Sequence, residues 1–129
     1  MTPREAGLRA REMIAAERER QVAGEGYSAA HDDRHRNGSL LAAARIYLHH
    51  GTDGPAPLGP DGQALVWPWE PDSFKPRDRI SNLVRAGALC KAEIARRVRA
   101  GISTVPAHHK LQAAMAELAL ALRAAEPSA

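Results

Sequence analysis

Two imidazoles and two adjacent carboxylates fall within five positions of this chain, at His31, Asp32, Asp33 and His35. Groups of these types can hold a metal, move a proton or accept hydrogen bonds from a polar ligand. Carboxylates would accept from ribose hydroxyls or base amines, or hold Mg2+ against phosphates. A second constellation lies in Trp67–Arg79. There Trp67 or Trp69 could lie against a base or another flat ligand, while Lys75 and Arg79 meet negative charge. Arg79 would sit in the first turn of a helix, where free backbone N–H groups favour anions. Tyr27 adds an aromatic wall just before the histidines.

His31 and His35 are four residues apart, so on a helix they share one face. The run mimics the zinc-protease pattern with Asp where Glu belongs. The carboxylate is one methylene short, Gly38 interrupts the helix, and no third ligand follows at the required spacing. No metal is therefore expected. A bland reading competes with the chemical one. Asp32 and Asp33 would satisfy backbone N–H groups or pair with arginines, His35 would be a core histidine, and the Trp-Pro-Trp loop would simply cover the helices.

The elements that must position these groups are helical. Residues 3–22 are charged and Ala-rich, with Pro3 suited to a first turn and Glu-Arg-Glu-Arg-Gln at 17–21 favouring helix. Gly24 and Gly26 end that helix, and Ser28 can cap a short turn through Asp33. Leu40, Leu41, Ala44, Tyr47 and Leu48 recur at helical spacing over 39–50. Residues 51–78 form a connector holding six of the nine prolines, which excludes a continuous helix. Within it, Gln63–Trp67 suggests a short strand.

Asp78 can cap the strongest helix, 79–100. Its apolar stripe is Ile80, Leu83, Val84, Gly87, Cys90, Ile94 and Val98. Gly87 marks a point of close packing, because glycine inside a helix costs about 1 kcal/mol against alanine. The last helix covers 105–125, and Glu126–Ala129 reads as a frayed end. The expected fold is all-α: a compact bundle of about four helices with a long Pro/Gly/Trp-rich connector. It forms one domain over 1–129, with an N-terminal helix to 24, a core region over 25–100 and a C-terminal helix beyond. The helix at 79–100 is its spine, and the first and last helices are peripheral or build a homo-oligomer.

Composition narrows the classes. The chain has 129 residues, enough for one domain with a real core. Its net charge is +3, from 18 Lys and Arg against 15 Asp and Glu, interspersed rather than blocked. Nucleic-acid binding is not expected from that pattern. Cys90 is the single cysteine, which excludes an internal disulfide. No apolar run reaches the ~20 residues of a membrane helix, and no signal segment leads the chain. A cytoplasmic location follows as the expectation. All five aromatic residues (Tyr27, Tyr47, Trp67, Trp69 and Phe74) lie between positions 27 and 74, beside the polar cluster.

Several motifs in order resemble a family of small proteins encoded by bacteriophages and prophages. They are Glu17-Arg18 and Gln21, Glu25-Gly26-Tyr27-Ser28, His31-Asp32-Asp33-Arg34-His35, Tyr47, Trp67-Pro68-Trp69, Lys75-Pro76, Asn82–Leu89 and Ala92–Arg96. The resemblance spans roughly 17–97. It implies an accessory role rather than a defined reaction. Two carboxylates of that pattern are replaced here by Ala30 and Ser39, which argues against catalysis. A looser likeness to the MazG type of nucleoside triphosphate pyrophosphohydrolase would imply Mg2+ held by Asp32, Asp33 and Glu93. The expected function is thus an accessory protein binding a small polar or nucleotide ligand, or a host protein, through His31, Asp32, Asp33, His35, Tyr27, Trp67, Trp69, Lys75 and Arg79. The alternatives are a Mg-dependent pyrophosphohydrolase and a non-enzymatic assembly or inhibitor protein.

Overall fold

The computed structural model describes residues 1–52 and 54–126. They form five helices: α1 Pro3–Gly24, α2 Ala29–Asp33, α3 Ser39–His50, α4 Arg79–Ala100 and α5 Val105–Ala124. The fold is an all-α bundle, with the Pro-rich connector running between α3 and α4. The expected frayed end at residues 127–129 lies outside the described residues; Glu126 pairs with the amino group of Met1.

Local chemistry sets the helix limits. The Thr2 hydroxyl accepts from Glu5 N–H, and the Glu5 carboxylate returns to Thr2 N–H, a reciprocal cap on α1. Ser28 caps α2 by accepting from the His31 amide at 3.2 Å. Asp78 caps α4 through the Ser81 amide. Gly38 (φ +79°) and Gly101 (φ +68°) adopt left-handed backbone at the start of α3 and the end of α4.

Helix α4 is the spine, as expected. One core cluster joins Leu40, Ala44 and Tyr47 of α3 to Ala86, Leu89 and Cys90 of α4. A second joins Ala10 and Ile14 of α1 to Leu83 of α4 and to Leu118 and Ala121 of α5. The outer helices are therefore not peripheral: α1 and α5 supply most of the second cluster. Many of these residues are alanines, whose short side chains let the helices approach closely. The stripe expected on α4 holds in its first half, whereas Val98 is 65% exposed. A second buried face holds Asn82, Ala86, Leu89, Glu93 and Arg96; Ala86 and Leu89 meet α3, Asn82 holds the connector, and Glu93 and Arg96 pair with each other.

Gly87 confirms the close approach. A Cβ there would lie 2.8 Å from Ile14 Cγ1, with Cδ1 nearer still. Ile14 is buried and β-branched, so it has little room to yield. Gly87→Ala should therefore destabilise the fold by about 1–3 kcal/mol through overpacking, although helix propensity alone would favour alanine by about 1 kcal/mol. The sign of the change in urea unfolding decides between the two terms.

The expected strand at Gln63–Trp67 does not form. A single bridge pairs Leu58 with Ala64, in a turn closed by Gly59 N–H donating to the Gln63 carbonyl. Arg45 of α3 donates to the Leu58 carbonyl and tethers this turn. Further on, the Tyr47 hydroxyl accepts from the Lys75 amide at 3.1 Å and from the Arg85 guanidinium at 3.2 Å. Asn82 clips both backbone groups of Arg77. The connector is thus held in place by polar side chains of α3 and α4.

Candidate functional site

The Gly26–His35 stretch is distributed among three environments. Asp32 is fully buried, and its carboxylate takes the Arg18 guanidinium at 2.6 Å and His31 Nδ1 at 3.0 Å. Asp33 turns outward to Arg99 near the end of α4. His31 and His35 border a depression of about 200 Å3 together with Tyr27 and Trp69. The Tyr27 and His31 rings stack at 4.6 Å, His35 meets the edge of His31, and Trp69 lies 5.1 Å from His35. Burial, reinforced by the neighbouring His31, pushes the His35 imidazole below its usual pKa. Arg79 serves the backbone: it donates to the Gly51 carbonyl at 2.9 Å and pairs with Glu117.

A larger cleft shares Tyr27, Trp69 and Ser73 with this depression. It encloses about 500 Å3 between the C-terminal end of α1, the middle of α4 and the connector. This is within the ~300–1,000 Å3 of small-molecule sites. Its aromatic lining is Tyr27, Tyr47, Trp67 and Trp69. The two indoles meet edge to face at 87° with centroids 5.4 Å apart, forming a corner that Tyr47 and Phe74 buttress at Trp67. Trp67 Nε1 donates to the Ser73 hydroxyl, which in turn donates to the Glu70 carbonyl, fixing that wall.

Four cations and two carboxylates also line the cleft. Arg20 is engaged by Glu17 in a bidentate pair at 2.6 and 2.8 Å and by Glu25 at 3.0 Å. Burial works to raise the pKa of Glu17, but the Arg20 hydrogen bonds outweigh it and hold the group below the usual carboxylate range. Arg85 is held by the Tyr47 hydroxyl and the Lys75 carbonyl. Lys75 and Arg77 have no acidic partner among the described residues. They alternate across Pro76, and both border the cleft.

Two polar groups at this cleft are buried without a hydrogen-bond partner: Gln21 Oε1 and Trp69 Nε1. Gln21 is 3% exposed. Its amide nitrogen faces the Glu17 carboxylate at 3.3 Å, which assigns the oxygen to the unpartnered position. Leaving a buried donor or acceptor unmade costs about 1–3 kcal/mol.

The structure therefore brings Tyr27, Trp67, Trp69 and Lys75 to one cleft and His31 and His35 to its smaller neighbour. It places Asp32, Asp33 and Arg79 in structural ion pairs. Sequence reasoning did not select Glu17, Arg20, Gln21, Tyr47, Arg77 or Arg85 as site residues. A signal existed for Arg77, two residues from Lys75 on a Pro-stiffened segment. Gln21 stands among the motifs of the family resemblance, but no spacing placed it at a site; it reaches the cleft because α1 packs on α4.

The carboxylates named for Mg2+ do not fit that role. Asp32 and Asp33 are paired with Arg18 and Arg99, and Glu93 binds Arg96 at 2.6 Å and Arg97 at 2.8 Å. A cation would have to displace guanidinium groups from all three. Among the described residues no three His, Cys, Asp or Glu side chains converge as metal ligands. Cys90 is buried in the first cluster, and that burial pushes its thiol up to about 12; it packs rather than reacts. Among the described residues no helix is long and apolar enough to cross a membrane. Comparison with protein families, curated proteins and solved structures finds no match to this chain.

Proposed function

We propose that this chain is a binding protein for a small, flat, anionic ligand, seated in the cleft between α1, α4 and the connector. The observation that carries this reading is the pairing of an indole corner with two cations that lack acidic partners, Lys75 and Arg77. Aromatic faces supply contact area for a planar group, and guanidinium and ammonium groups supply charge-assisted hydrogen bonds to phosphate or carboxylate. The order of motifs along 17–97 supports a phage-type accessory role, and the single cysteine suits a reducing cytoplasm. The Mg-dependent alternative is disfavoured because its three carboxylates are committed to arginines.

Phenyl phosphate is the simplest probe, since it has a ring and an anion and nothing else. It should raise the melting temperature and quench tryptophan fluorescence saturably. Lys75 and Arg77 are exposed, so removing them leaves the fold intact. Lys75→Ala and Arg77→Ala should each weaken phenyl phosphate about tenfold or more, the effect of losing one charge-assisted contact of ~1.5–3 kcal/mol. Absence of any shift in the wild-type protein overturns the reading.

A further inference from the structure

We infer that the chain docks an acidic, partly apolar segment of a protein partner at the end of the bundle where α4 stops. A separate concavity of about 410 Å3 opens there, lined by Asp33, Arg36, Arg96, Arg99, Ala100 and Ile102. It shares no lining residue with the aromatic cleft, so it stands or falls independently of the ligand proposed for that cleft.

Three guanidinium groups and one carboxylate meet around this hollow. Arg99 holds Asp33 through Nε at 2.9 Å and Nη2 at 2.8 Å, so one fork already carries a carboxylate. Both side chains of that pair are exposed, and such a pair exchanges readily for a carboxylate from outside. Arg36 has no acidic partner among the described residues and makes only a long 3.4 Å contact to the Asp33 carbonyl. Arg96 is 5% exposed and is fixed by Glu93 through Nε and Nη2, while its Nη1 has no hydrogen-bond partner among the described residues. Glu93 also serves Arg97, so one buried carboxylate is shared by two guanidinium groups. Positive charge is in surplus at this end, and no acidic residue occurs between Glu93 and Glu117.

The same end is apolar as well as basic. Val98, Ile102 and Val105 are exposed around the turn that joins α4 to α5. Arginine-rich, acid-poor surfaces with exposed aliphatic side chains have the composition of protein interfaces. A nucleic-acid backbone would use the charge alone. A carboxylate flanked by an aliphatic side chain uses both, with its oxygens on Arg36 and Arg96 and its neighbour on Ile102.

The probe is a capped peptide of three Glu-Glu-Leu repeats, titrated into the full chain while backbone amide signals are followed at low ionic strength. The Gly101 and Ile102 signals should move along one saturation curve. A Gln-Gln-Leu peptide should leave them still, and a Glu-Glu-Ser peptide should bind several-fold more weakly. Arg36→Ala together with Arg99→Ala should weaken the acidic peptide about tenfold or more, the effect of losing charge-assisted contacts. Both residues are exposed, so the melting temperature should change little. Asp33→Asn removes the competing carboxylate and should strengthen binding about threefold, within the range of an exposed pair. A purely structural Asp33–Arg99 pair predicts no gain. The inference is overturned if the acidic peptide gives no saturable movement at millimolar concentration, or binds the double variant equally well. It is also overturned if an oligothymidylate of equal charge binds this end more tightly than the peptide.

Discussion

Asp32→Ala should lower the stability of the fold by about 3–5 kcal/mol, the cost of breaking a buried ion pair by removing one partner. Asp32 has no exposed surface, and Arg18 is largely covered, with a side chain 17% exposed. Removing the carboxylate leaves the guanidinium between α1 and α2 without its counter-charge. It also frees His31 Nδ1, and with it the stack on Tyr27 that borders the cleft. Asp33→Ala is the control. Its partner Arg99 and its own carboxylate are both exposed, so its loss should change stability by no more than about 1 kcal/mol. Urea unfolding at constant slope measures both. Equal effects at the two positions would show that the adjacent aspartates share one role, as a metal or catalytic pair would.

Glu93→Ala carries the second large effect. Glu93 is fully buried and holds two arginines, Arg96 through Nε and Nη2 at 2.6 and 3.1 Å and Arg97 through Nε at 2.8 Å. Arg96 is 5% exposed, and its hydrogen bonds to Glu93 raise its pKa further, so it stays charged. Deleting Glu93 strands that charge in the interior, and a loss of about 3–5 kcal/mol follows. Arg97 also donates to the Ser103 carbonyl, so the hinge between α4 and α5 loosens with it. Arg97→Ala should cost less than Glu93→Ala, because it leaves the Arg96 pair intact. A Glu93→Ala loss below about 1 kcal/mol would place this network among ordinary surface pairs.

Much of the architecture was legible in the residues because its signals are local. Ser28, Asp78 and Gly38 marked helix limits through capping and backbone freedom. Gly87 predicted close packing, and the structure puts Ile14 against it. What was not legible is non-local. Ala10 and Ala121 are weak hydrophobic signals, so α1 and α5 looked peripheral until α4 supplied the surface that buries them. The second face of α4 was hidden because it contains Asn82, Glu93 and Arg96, polar residues whose burial depends on partners three to five residues away or on the connector.

The candidate site divides in the same way. Tyr27, Trp67, Trp69 and Lys75 do meet at one cleft, since the aromatic residues cover α3 and α4 together. His31, Asp32 and Asp33 are adjacent in the chain, but one turn of helix sends them to a depression, the core and the end of α4. Adjacency in sequence therefore overstated their cooperation. Gln21 and Arg85 join the cleft only through the packing of α1 on α4, which no local spacing records.

The most direct measurement follows the two indole N–H signals in a proton–nitrogen spectrum during titration with phenyl phosphate. The chain has two tryptophans, and both line the cleft. Trp67→Phe assigns the pair. Ligand seated in the cleft moves both signals along one saturation curve, and Lys75→Ala together with Arg77→Ala abolishes the movement while the spectrum stays folded. Indole signals that remain still at phenyl phosphate concentrations far above those of the protein, or that move equally in the double variant, contradict anion binding at this cleft.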